Sequence, residues 1–200
     1  MITDVKNSHL KRLLEGNRRF VSGNAQHPRQ SEAHRLTLLE GQHPAVAIVG
    51  CTDSRVPPEL IFDQGFGDLY ISRVGGGAVG GLSLASLELG VMAFGIELIV
   101  VLGHSGCGAI QTTIQGAVTA GHLPELAAVI QPSVDEARAL PGDLLVNTVQ
   151  VNARRMARRL LDGSAIMAEA AAAGQIAVAA CYYDLSTGLV EVLQEDVTAA

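Results

Sequence analysis

Two stretches decide the reading of this chain. They are Ala45-Val46-Ala47-Ile48-Val49-Gly50-Cys51-Thr52-Asp53-Ser54-Arg55 and Leu98-Ile99-Val100-Val101-Leu102-Gly103-His104-Ser105-Gly106-Cys107. Each opens as a short, β-branched apolar run closed by glycine, the pattern of a buried parallel strand. Each then turns abruptly polar and sulfur-bearing. In an open α/β sheet, ligands gather outside the carboxyl ends of the strands, where the strand order reverses. If the two runs are neighbours, Cys51, Asp53, Arg55, His104 and Cys107 converge in one crevice. Two cysteines and a histidine supply three zinc ligands and leave the fourth tetrahedral position for water. The residues therefore predict a metal-dependent hydrolytic or hydration enzyme.

Working outward, residues 68–74 and 176–183 read as further strands, and 189–193 as an edge strand after a turn at 184–188. Helical pieces are expected over 31–40, from Pro57-Pro58, over 82–94, from near Cys107, and over 144–173 with a break at Asp162-Gly163-Ser164. The stretch 121–142 holds three prolines and reads as short helical pieces and loop. Residues 4–22 place Leu10, Leu13, Leu14, Phe20 and Val21 at helical spacing, with Lys6, Lys11, Arg12, Glu15, Arg18 and Arg19 on the other faces. This order predicts one α/β domain over 1–200: a mostly parallel central sheet flanked by helices, an N-terminal helical arm and an antiparallel C-terminal edge strand.

Composition bounds the function. Two hundred residues, 48% hydrophobic and 17% charged, make one ordinary domain with a full core rather than a disordered chain. A net charge of −6 gives no basic footprint for nucleic acid or an anionic membrane. No stretch reads as a membrane span or a signal peptide. Three cysteines are no disulfide framework. Cytoplasm is the expected location.

The same residues admit competing readings. Cys181 as a fourth ligand would close the zinc site, but it lies inside the apolar run Ala177-Val178-Ala179-Ala180-Cys181, where a cysteine acts as a small buried hydrophobe. A redox pair of Cys51 and Cys107 lacks the Cys-x-x-Cys spacing. Gly75-Gly76-Gly77-Ala78-Val79-Gly80 satisfies the dinucleotide fingerprint, which also wants an acid at the end of the next strand. That strand ends at Gly103-His104, and Glu97 precedes it. The glycines instead permit close backbone approach to the crevice.

The paired motifs Cys51-Thr52-Asp53-Ser54-Arg55 and His104-Ser105-Gly106-Cys107-Gly108 resemble the β-class carbonic anhydrases. With Gly41-Gln42-His43-Pro44, Phe62-Asp63-Gln64-Gly65 and the closing strand pair, the resemblance covers most of the chain. It implies reversible hydration of carbon dioxide to bicarbonate by zinc-bound hydroxide, with Zn2+ on Cys51, His104 and Cys107. Two thiolates make zinc a weaker Lewis acid than the three histidines of another carbonic anhydrase class, the standard example of water acidified by zinc. The resemblance makes Asp53 and Arg55 a catalytic dyad: Asp53 orients the nucleophile, and Arg55 keeps Asp53 from becoming the fourth ligand of a closed state. It places Gln42, Tyr70 and Gly108 in the substrate pocket. It also implies a homodimer or homotetramer, with residues 1–40 as an arm on the partner subunit. The chain departs from the family's pattern at Val74-Gly75-Gly76-Gly77, at Leu89 and at Ile48. These departures keep two alternatives open: a relative acting on carbonyl sulfide or carbon disulfide, and a catalytically silent zinc and bicarbonate-binding protein.

Overall fold

Each apolar run becomes a strand because β-branched side chains fit a pleated surface covered on both faces. The computed structural model describes residues 2–117 and 120–198, with side chains from residue 8 onward, so Lys6 of the expected arm lies outside the described side chains. The strands are β1 (Val46–Gly50), β2 (Leu69–Arg73), β3 (Leu98–His104), β4 (Ala177–Tyr183) and β5 (Val190–Gln194). They form one sheet in the order β2-β1-β3-β4-β5. All pairings are parallel except β4 with β5. The chain leaves β1 toward one edge and returns through β3 on the other side. The switch point therefore falls between β1 and β3, the strands that end at Cys51 and His104.

Period-two alternation splits the core. Val46, Ile48, Val100, Leu102 and Cys181 join one cluster, and Ala47, Val49, Ile99, Val101 and Ala180 the other. The first is covered by α1 (Ile2–Val21) through Leu10 and Leu13, by α3 (Pro58–Ile61) through Ile61, and by α5 (Gly108–Ile114) through Ile110. The second is covered by Leu87 of α4 (Gly81–Leu89) and by Met167 and Ala170 of α8 (Ala165–Ala172). The long helix α7 (Leu144–Asp162) serves both, with Val149 in one and Met156, Leu160 and Leu161 in the other. Asp143 and Ser164 cap α7 and α8, so the expected break at Asp162-Gly163-Ser164 is present. Residues 32–40 form α2 (Glu32–Thr37) and one 3₁₀ turn. No helix among the described residues is long and apolar enough to cross a membrane.

Two helical readings need correction. The proline-rich stretch 121–142 contains one 15-residue helix, α6 (Leu123–Ala137). Pro124 sits in its first turn, where no N–H is needed. Pro132 removes the bond to the Ala128 carbonyl, a loss of about 3 kcal/mol. The helix survives because Ile130, Val134 and Ala137 are buried. The stretch 82–94 is not uniform either: α4 gives way to a wider π turn over Gly90–Phe94, ended by Gly95 at φ 75°.

The second half of α1 is tied to its own chain. Asn17 is buried and donates to the carbonyls of Ile61 at 3.2 Å and Gly188 at 2.8 Å, while accepting from Val190 N–H. Arg19 Nε meets Asp63 at 2.6 Å.

Candidate metal centre

The chain leaves β1 into a loop that folds on itself. Asp53 accepts the backbone N–H of Arg55 at 3.0 Å, a turn mimic that aspartate forms readily. Pro58 then opens α3. Arg73, paired with Gly50 across β2 and β1, clamps this loop. Its Nε donates to the Cys51 carbonyl at 2.7 Å and its Nη2 to the Asp53 carbonyl at 2.6 Å. On the other strand, Gly106 at φ 64° turns the chain after His104, and Cys107 becomes the N-cap of α5. Ser105 fastens that turn: its N–H donates to the Tyr183 carbonyl and its hydroxyl accepts from Leu185 N–H.

The two loops bring the expected ligands together. The donor atoms of Cys51, His104 and Cys107 all lie within 4.8 Å of one another, and all three residues are buried. The sulfurs are 3.9 Å apart. At that distance both cannot ionise freely. The hydrogen bond from Cys107, with the N–H groups of Asp53 and Gly76, pulls the Cys51 thiol down against its burial. The same bond and burial push the Cys107 thiol up, although the N–H groups of Ile110 and Ala109 face it. A cation bound between them favours both thiolates and releases the proton.

His104 tests the fit to a metal. Its Nδ1 lies 2.9 Å from the Ser105 carbonyl, which only accepts, so Nδ1 carries the proton. Its Nε2 is buried and has no hydrogen-bond partner. A buried lone pair without a donor is costly unless a cation takes it. Sulfur, sulfur and imidazole nitrogen are the donor set zinc prefers.

Asp53 stands beside this group and not in it. Arg55 grips it as a fork, with Nε to Oδ1 at 2.9 Å and Nη2 to Oδ2 at 2.7 Å. Nη2 also donates to the Gly106 carbonyl at 3.2 Å, joining the two loops. The Arg55 guanidinium holds the Asp53 carboxyl well below the usual carboxylate range.

The remaining expected residues lie elsewhere or beside the group. Gly108 follows Cys107, and the space its Cβ would fill is open. Gln42 is exposed on a groove of about 430 Å³ shared with Arg35, Leu38 and Phe66. Tyr70 pairs with Ala47, well back from the strand ends, and stacks at a tilt on Phe94 with centroids 5.7 Å apart. Cys181 pairs with Leu102 in β4 and is fully buried; burial pushes its thiol up to about 12. Glu97 meets His9 at 3.0 Å, and the glycine run leads into α4 with no acid at the end of β3.

Sequence reasoning missed Arg73, which clamps the Cys51 loop, and Asn152, which donates to the Gly76 carbonyl. An arginine closing a strand beside the ligand strand was the available signal for the first. Nothing local marks the second.

The comparisons with known proteins agree with this geometry. The family model described as "Carbonic anhydrase" matches residues 46–190. The chain is 37% identical over 182 residues to "Carbonic anhydrase 2" of Mycobacterium tuberculosis, covering 89% of this chain and 88% of that one. It is 34% identical over 185 residues to a carbonic anhydrase of Mycolicibacterium smegmatis, covering 90% of each. Among solved structures, the Coccomyxa β-carbonic anhydrase in complex with acetazolamide superposes with a TM-score of 0.74 at 27% identity, over 94% of this chain and 87% of that one. A β-carbonic anhydrase of Sordaria macrospora shares the fold, with a TM-score of 0.73 at 23% identity over 81% and 87%. With most of its length matched in sequence and in fold, the chain belongs to the β-carbonic anhydrase family.

Proposed function

We propose that this protein catalyses the reversible hydration of carbon dioxide to bicarbonate and a proton. One observation carries the reading: three buried donor atoms within 4.8 Å, beside a carboxylate held aside by an arginine fork. Zinc bound by Cys51, His104 and Cys107 would supply Lewis acidity that makes water a nucleophile near neutral pH. The chain's own residues do the rest. Asp53 stays ionised, and its Oδ2 takes one hydrogen bond from Arg55, leaving a lone pair to accept the nucleophile's O–H and orient it. Arg55 denies Asp53 to the ligand group. Gly108 leaves room beside Cys107 for a linear triatomic substrate. Gln42 and Tyr70 lie away from this chain's metal group, so both would serve the pocket of a neighbouring copy, Gln42 by donating its amide to a substrate oxygen and Tyr70 as a wall.

The same reading makes the protein a homodimer or homotetramer. Among the described residues β2 pairs only with β1, and every residue of β2 is half-buried. Leu82, Leu89 and Met92, in or just after α4, are exposed, which a monomer has no reason to maintain. In that assembly the arm expected over residues 1–40 keeps Leu10, Leu13 and Asn17 on its own chain and offers only its outer face to the partner. Unpaired Cys51, Cys107 and Cys181 suit a reducing compartment, so we place the protein in the cytoplasm.

Stopped-flow carbon dioxide hydration with zinc analysis on the same sample tests the function. Activity should track zinc, at one ion per chain. A zinc-loaded protein without hydration activity would refute it. Sedimentation showing only monomer at micromolar concentration removes the cross-subunit role of Tyr70.

A further inference from the structure

The glycine run after β2 has no part in the mechanism above, yet it touches the metal centre. Gly76 N–H donates to Cys51 Sγ at 3.3 Å. The Gly76 carbonyl in turn accepts from Asn152 Nδ2 at 2.9 Å, a contact spanning 76 residues. Asn152 Oδ1 accepts the Ser133 hydroxyl at 3.1 Å. Gly76, Asn152 and Ser133 are all buried. A polar chain thus runs from α6 through α7 and the loop to a ligand sulfur.

Mutual satisfaction of buried polar groups explains part of this. Its arrangement asks for more. The Gly76 carbonyl only accepts, so it fixes the Asn152 Nδ2 toward the loop, and the Ser133 hydroxyl donates to the Oδ1 left over. Gly76 is held at φ 64°, and a Cβ there would lie 2.9 Å from Ile130 Cδ1. That backbone conformation aims the Gly76 N–H at sulfur. Cys51 then accepts two backbone N–H groups, from Gly76 and from Asp53 at 3.4 Å. Hydrogen bonds to a ligating thiolate draw charge off the sulfur. The cation it holds becomes more electron-poor, which offsets the weak Lewis acidity of a two-thiolate site.

We propose that Asn152 is a positioning residue for the metal centre: by holding the Gly76 carbonyl it sets the N–H to sulfur bond at Cys51, and through it that thiolate's donor strength. The inference rests on the metal reading above. Cobalt substituted for zinc reads sulfur donation directly, as thiolate-to-metal charge-transfer absorption. In Asn152→Ala this band should move to longer wavelength, because sulfur without its hydrogen bond gives up charge more easily. The kcat for hydration should fall about 10–100-fold with KM nearly unchanged. Ser133→Ala should move both in the same direction by less. Met167→Ala, a cavity in the core on the opposite face, is the stability control and should move neither.

If Asn152→Ala matches Met167→Ala in band position and kcat, the chain is packing alone and the proposal is overturned. If Asn152→Ala does not fold, the same result in Ser133→Ala overturns it. The wild-type spectrum is read first: cobalt bound without sulfur absorption refutes the metal reading itself.

Discussion

Asp63 and Asp53 are each gripped by an arginine, but they end differently. The Asp63 side chain is 1% exposed. Its Oδ2 takes Arg19 Nε and Gln26 N–H, and its Oδ1 takes the N–H groups of Gln26 and His27. Both oxygens are fully used in fastening α1 and the loop behind it to the end of α3. The Asp53 side chain is 16% exposed, and its Arg55 partner 55%. There Oδ1 takes two bonds from Arg55 and Oδ2 only one. The partner type is the same in both pairs. What separates an anchor from a working carboxylate is the acceptor capacity left over.

The sharpest test removes the charge of the anchor. Asp63→Asn keeps the shape but leaves Arg19 facing a neutral amide and sets an NH₂ among N–H donors. Loss of one partner of a buried pair costs about 3–5 kcal/mol, and denaturant melts should show a loss of that order. Activity per folded molecule should be unchanged. A variant that stays stable and loses activity would erase the contrast.

The converse variant is Arg55→Ala. Arg55 is more than half exposed, so the stability cost should stay below about 1 kcal/mol. Zinc content should stay at the wild-type level. Carbon dioxide hydration should nevertheless fall about 10–100-fold, because a freed Asp53 swings toward the ligand group and loses its orienting role. Near-normal activity at neutral pH would make the dyad a surface ion pair.

These pairs also show what could be read in advance. Cys51, Asp53, Arg55, His104 and Cys107 were legible because each motif is short and follows a strand, so topology alone brings them together. β1 and β3 were legible because an apolar run and a glycine closure agree, β2 and β4 from their apolar runs alone. The helix α6 was not, because Pro132 reads as a breaker and only the burial of Ile130 and Val134 outweighs it. Arg73 and Asn152 reach the site from 22 and 76 residues beyond their partners, Cys51 and Gly76. No spacing rule announces such contacts. Asp63 was quoted as part of a motif, but two of its three donor residues, Gln26 and His27, come from a loop whose path the sequence does not define.

Acid should separate the two kinds of carboxylate further. Burial alone would raise the Asp63 pKa. The N–H of Gln26, the Arg19 guanidinium and the N–H of His27 outweigh it and hold the carboxyl below the usual range. A folded pKa below the unfolded one stabilises fully above the unfolded value of about 4, and the effect is lost as pH falls through the folded value. Wild-type stability should therefore drop on acidification below about pH 4, and Asp63→Asn should show a shallower drop over the same range. Parallel curves would mean that Asp63 carries no net pH-dependent stability.

The smallest effect comes from lysine at each arginine. Arg19 reaches Asp63 through a single bond, Nε to Oδ2 at 2.6 Å. One ammonium donor can replace one such bond, so Arg19→Lys should cost less than about 1 kcal/mol. Arg55 uses its full fork and a further bond to the Gly106 carbonyl. A lysine is a point charge on a flexible stem and cannot hold both oxygens and that carbonyl at once. Arg55→Lys should thus fold as well as wild type and bind zinc. Its hydration rate should still lie about tenfold below wild type, since Asp53 keeps its charge partner but loses its fixed orientation. Thermal melts and stopped-flow rates on both lysine variants decide the matter. If Arg55→Lys is fully active, charge alone holds Asp53, and the fork geometry is incidental.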